Sequence, residues 1–152
     1  MWYRVFGKLS DEVPPAAIAE RLHERGLAVE PHFRGDDLGW TAGELKLPGG
    51  GTPVILNRYL TGEDDLRSEL NVFAADLETR DYCAYHTQLM QHAIQTQQLI
   101  TMRKPIDSPN EIVLEQVLLE VCQLLAARID GVYQIDDVGW FAPDGTLLLQ
   151  EY

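Results

Sequence analysis

Apolar and polar residues alternate near both ends of the chain and recur at helical spacing through its middle. Residues 2–9 (WYRVFGKL) set aromatic and β-branched positions against Arg4 and Lys8, the two-residue period of a strand. The next stretch, SDEVPPAAIAERLHERGL, predicts a helix. Pro14 and Pro15 suit its first turn, Ile18 and Leu22 recur four apart, and Gly26 suits the position just past its end. Residues 27–33, 40–47 and 53–60 read as three more strands. The loop PGGGTP between the last two holds too many glycines and prolines to belong to either.

Residues 61–80 predict a helix with Thr61 as N-cap and Asp64 imitating a capping box. Leu66, Leu70, Phe73 and Leu77 mark its apolar face. A second helix is expected over 81–102, where Tyr82, Tyr85, Leu89, His92, Thr96 and Leu99 form one stripe. A third is announced by SPNE, with Ser108 as N-cap, Pro109 at the first helical position and Glu111 closing a capping box. Its interior, IVLEQVLLEVCQLLAARI, is apolar on more than one face and should be the most buried helix. After Asp130-Gly131 the two-residue period returns in VYQID, VGWFA and TLLLQEY, the last two joined by the turn sequence Pro143-Asp144-Gly145.

The expected order is β-α-β-β-β-α-α-α-β-β-β. It predicts one α+β domain over 1–152, a largely antiparallel or mixed sheet with a block of three central helices packed on one face. The opening β-α-β-β order is similar to a ferredoxin-like split unit, an analogy of fold that carries no function.

Charge narrows the partners. With 24 acidic and 12 basic residues the net charge is −12, a field that repels phosphate backbones and anionic membranes and favours a basic protein. Cys83 and Cys122 belong to no CxxC pair, so reduced thiols in a cytoplasmic protein are expected rather than a disulfide scaffold. The N-terminal residues lack the charged-then-apolar pattern of a signal peptide, and no apolar run is long enough to span a membrane.

Candidate chemistry is sparse. PGGGTP is followed by the strand-like VILNRYL rather than by GK[ST] and a helix, so a phosphate loop is not expected. Cys83 and His86 are spaced to share a helix face, but His92 is six residues beyond His86 and falls on another side, so no metal site is expected. No nucleophile elbow is present, and the adjacent carboxylates Asp36-Asp37, Asp64-Asp65 and Asp136-Asp137 point to opposite sides of any strand they occupy. No catalytic residue and no cofactor is implied. Arg58, between apolar strand residues, is expected to be buried on carboxylate partners and to tie the sheet to the following helix, which carries Glu69 and Asn71.

One motif occurs twice. DDLGW at 36–40 returns as DDVGW at 136–140, with flanks that do not match, so two Asp-rich turns leading into strands are expected rather than a duplicated module. Two functional readings follow. In the first, a non-catalytic acidic domain binds a basic protein, as a regulator or inhibitor of the immunity type does. In the second, a small-molecule module or enzyme has a cleft between sheet and helices, framed by Trp40, Trp140 and Arg58. The second requires the three side chains to meet in one concave site. A homodimer through the Tyr82, Tyr85 and Leu89 stripe is a further expectation.

Overall fold

Strand β1 (Trp2–Gly7) forms where the alternation places it, in a computed structural model that describes residues 1–62 and 64–151. Helix α1 (Pro15–Glu24) follows, with Pro15 in its first turn. It ends in a Schellman motif. Gly26 adopts φ +71°, its N–H reaches His23 O at 3.0 Å, and the Leu27 N–H reaches Leu22 O at 2.9 Å. Then come β2 (Glu30–Asp36), β3 (Gly39–Lys46), β4 (Val54–Leu60), α2 (Arg67–Glu78), α3 (His86–Gln95), β5 (Gln98–Arg103), α4 (Glu111–Arg128), β6 (Gly131–Ile135), β7 (Gly139–Phe141) and β8 (Leu147–Gln150).

These eight strands form one sheet in the order β2-β3-β4-β5-β1-β6-β7-β8, every neighbouring pair antiparallel. The α+β class and the antiparallel sheet are therefore as expected. The placement of the helices is not. Tyr3 and Val5 of β1, Ile100 and Met102 of β5, and Tyr133 and Ile135 of β6 pack in one core cluster with residues of α1 and α4. Phe6, Leu99 and Val132, their alternates on the same strands, pack in a second cluster with residues of α2 and α3. The three central helices are thus divided between the two faces of the sheet.

The cause is β5. The expected helix over 81–102 stops at Gln95, and Thr96 turns to an extended conformation with ψ 131°. Leu99, Ile100 and Met102 are then buried on alternate faces, as in a strand covered on both sides. β5 runs between β4 and β1 and carries the chain from the α2–α3 layer to the α1–α4 layer. Tyr82 lies ahead of α3, in the connection from α2, and its hydroxyl donates to Gln150 O at 2.9 Å. Leu89 and His92 are buried, so the stripe expected to mediate a dimer is not continuous on the surface.

Two helix starts also differ. α2 begins at Arg67 without a side-chain cap, and the Asp64 carboxylate instead accepts the Leu60 N–H at 2.9 Å. At α4 the cap is Asn110, whose Oδ1 accepts the Val113 N–H at 3.1 Å, rather than Ser108. α4 buries eight residues, from Leu114 to Ala126, as its all-round apolar pattern predicts. No described helix is long and apolar enough to cross a membrane.

Candidate functional site

β1 runs upward from Trp2 to Gly7, and the antiparallel pairings fix every other direction. β2 runs up into β3, so its turn, 36–39, lies at the upper end of the sheet. β6 runs down into β7, so its turn, 136–138, lies at the lower end. The two copies of the repeated pentapeptide are therefore at opposite ends.

At the upper end β3 carries one extra residue. Arg34 pairs with Ala42 and Gly35 with Trp40, leaving Thr41 as a bulge. The bulge reverses the side-chain alternation and turns Trp40 into the α1–α4 core. There its ring meets Phe33 edge-on at 5.0 Å, and its Nε1–H donates to Val13 O at 2.8 Å. The Trp40 backbone N–H donates to Glu12 Oε2.

Arg58 lies directly beneath this turn and is 5% exposed. Its Nε donates to Gln98 Oε1 at 2.8 Å, Nη1 to the carbonyls of Leu38 and Trp40 at 3.1 Å each, and Nη2 to Ser10 O at 3.1 Å. Gln98, fully buried, donates to Leu9 O and Asp11 O at 2.8 and 2.7 Å. Arg58 and Gln98 together hold the β1–α1 loop against the β2–β3 turn. Burial lowers the pKa of the guanidinium, and the nearby Glu12 and Asp36 carboxylates oppose that shift. The expected role of Arg58 as a carboxylate-bound anchor for α2 is therefore corrected. It is buried as expected, but its direct partners are an amide and three carbonyls at the upper end.

Above this network lies an open groove of about 610 Å³ bounded by Glu12, Phe33, Arg34, Asp36, Asp37 and Leu38, among others, so three acids and one base line it. Asp36 Oδ1 accepts the Leu38 N–H at 2.9 Å and shapes the turn, while Gly39 takes φ +110° in close contact with Glu12. Glu12, Asp36 and Asp37 make no ion pair among the described residues. The equivalent acid at the lower end, Asp136, is neutralised by Arg4. Burial pushes the Asp136 pKa up, but hydrogen bonds from Arg4, Gln134 and the Trp2 N–H, with the Arg4 charge, bring it below the usual value.

Trp40 and Arg58 are thus neighbours, and Trp140 is elsewhere. It lies 1% exposed in the α2–α3 core, 4.8 Å from the Phe6 ring and 6.2 Å from Phe73. No cleft is framed by all three side chains. Glu12 and Gln98, which complete the upper network, carried no local sequence signal.

The remaining candidates have structural partners. Cys83 Sγ donates to Leu148 O at 3.0 Å, and His86 Nδ1 lies 2.8 Å from Cys83 O. Among the described residues no group of three or more His, Cys, Asp or Glu side chains is arranged to hold a metal ion. In PGGGTP the Thr52 N–H and hydroxyl are both engaged by the Asp107 carboxylate, which fastens the loop to the segment before α4. No family model, curated protein or solved structure matches the chain.

Proposed function

We propose that the protein works by binding a basic protein partner through the upper end of its sheet, as a regulator or inhibitor without chemistry of its own. The observation that carries this reading is the contrast between the two Asp-rich turns. At the lower end Asp136 is neutralised by Arg4, whereas around the upper groove Glu12, Asp36 and Asp37 outnumber Arg34 and make no ion pair among the described residues. Arg58 and Gln98 hold the loops that carry these acids from below, so little conformational freedom remains to be lost on docking. The net charge of −12 adds long-range attraction for a cationic surface.

The test is capture from a lysate of the source organism at low and high salt, followed by association kinetics with the purified captured protein. Raising ionic strength from low to high should slow association roughly tenfold. The D36N/D37N variant should also associate more slowly, with dissociation little changed. An association rate indifferent to both salt and these substitutions would sink the proposal.

A further inference from the structure

A second cavity, of about 270 Å³, lies between α3 and the sheet, bounded by Lys8, Tyr85, Gln88, Leu89, His92 and Val132, among others. Its lining includes one formal charge, the Lys8 ammonium, and no carboxylate, in a chain where acids outnumber bases 24 to 12. Lys8 makes no ion pair among the described residues. One acid, Asp130, acts on His92 from outside the lining and opposes the effect of Lys8 there.

His92, 8% exposed, gives the cavity a second polar feature. Its Nε2 lies 2.8 Å from Phe6 O. A carbonyl only accepts, so Nε2 carries the ring proton. Burial lowers the affinity of the ring for a second proton, which leaves Nδ1 with an open lone pair. No described donor reaches Nδ1, yet no buried side-chain nitrogen or oxygen lacks a partner. Nδ1 is therefore not fully enclosed, and His92 is one of the residues that line the cavity. Leu89, Val132 and Leu148 supply an apolar wall beside these two groups.

From one cation, one neutral acceptor and an apolar wall, we infer that this cavity binds a small monocarboxylic acid that also carries a hydroxyl or N–H donor. The carboxylate pairs with Lys8, the donor bonds to His92 Nδ1, and the hydrocarbon body lies on the apolar wall. The volume equals that of about nine waters, which suits a ligand of about ten non-hydrogen atoms. This site lies on the α2–α3 face of the sheet and does not depend on the proposed docking of a basic protein at the β2–β3 turn.

The experiment is a titration of the ¹⁵N-labelled full chain with 4-hydroxybenzoate, read at the His92 ring nitrogens. The free protein should show the Nε2–H tautomer, and the Nδ1 signal should shift saturably, with half-saturation below about 5 mM. Benzoate, which lacks the hydroxyl, should bind about tenfold more weakly. Lys8→Ala should weaken 4-hydroxybenzoate binding by a similar factor without changing the His92 tautomer, and Lys8→Arg should retain most of it. The inference is overturned by an Nδ1–H tautomer in the free protein or an unmoved Nδ1 signal at about 20 mM probe. Equal binding of benzoate or an unaffected Lys8→Ala variant also overturns it.

Discussion

Arg58→Met removes the guanidinium while keeping much of its aliphatic length, and the structure sets the size of the loss. Four hydrogen bonds disappear. The bonds to Gln98 Oε1 and Trp40 O are fully buried, so those acceptors are left dry. The bonds to Leu38 O and Ser10 O are partly buried, and water can replace the guanidinium there. An unsatisfied buried acceptor costs about 1–3 kcal/mol. Two of them, less some relief from no longer burying a cation, give a loss of about 3 kcal/mol. In a chain of this size that lowers the melting temperature by roughly 6–12 °C. Urea unfolding followed by tryptophan fluorescence should show a lower midpoint at an unchanged slope. Gln98→Leu loses the same Arg58 bond together with those to Leu9 and Asp11, so the two variants should be non-additive by about 1 kcal/mol or more in a double-mutant cycle. A loss below about 1 kcal/mol for Arg58→Met, or strict additivity with Gln98→Leu, refutes the view that this pair fastens the upper loops.

Three further outcomes are expected. Burial holds the folded pKa of His92 below its ordinary value of 6.5. Stability should therefore be insensitive to this group above about pH 6.5 and decline below it, as the unfolded chain takes up a proton that the folded chain refuses; the decline ends at the folded pKa. His92→Gln should remove that slope, at most about 1.4 kcal/mol per pH unit, in urea midpoints measured between about pH 5 and 8. Asp136 has the same sign in a more acidic window: its folded pKa is depressed, so its stabilisation is complete above its ordinary 3.8 and is lost as pH falls through the lowered value. Arg4→Met should reduce that acid-side loss in the same titration carried to lower pH, leaving the part due to Gln134 and the Trp2 N–H. Gly39→Ala places a methyl 2.3 Å from Glu12 Oε2 and 3.0 Å from Arg58 Nη1 at φ +110°. It should cost about 1–3 kcal/mol, and more than Gly50→Ala, where the added carbon meets nothing within 4 Å; equal losses in urea unfolding exclude strain at this contact.

What the sequence reveals and conceals follows the range of the interactions. α1 is legible to its last residue because Pro15, the Ile18–Leu22 spacing and Gly26 act within a few positions of one another. β5 is concealed because QLITMR follows a helical stripe without a proline or glycine to mark the break. Only pairing with β1 and β4 on either side makes it a strand. Losing that strand conceals the second helix layer, since β5 is what carries the chain across the sheet. Arg58 advertises itself as a polar residue in an apolar strand, but Gln98 falls in the stretch whose stripe predicts a helix and Glu12 in a loop.

The repeated pentapeptide shows the same limit most directly. In both copies the glycine opens the second strand of a hairpin and the tryptophan sits one step further along the ladder, opposite Gly35 or Gln134. The chain advances across the sheet in the same direction at each hairpin, but one turn is at the upper end and the other at the lower. The turns differ in length, residues 37–38 between the paired Asp36 and Gly39 against 136–138 between the paired Ile135 and Gly139, and of the two hairpins only the first carries a bulge beside its tryptophan. With the Thr41 bulge Trp40 enters the α1–α4 core, whereas Trp140 enters the α2–α3 core. The opposite ends of the sheet also separate the acids. Asp136 arrives beside the first strand and pairs with Arg4, whereas Asp36 arrives at the sheet margin above Arg58, whose hydrogen bonds go to Gln98 and carbonyl oxygens. Identical local chemistry thus yields a neutralised structural turn at one end and an open acidic groove at the other, because strand order, which no pentapeptide encodes, decides which charges it meets.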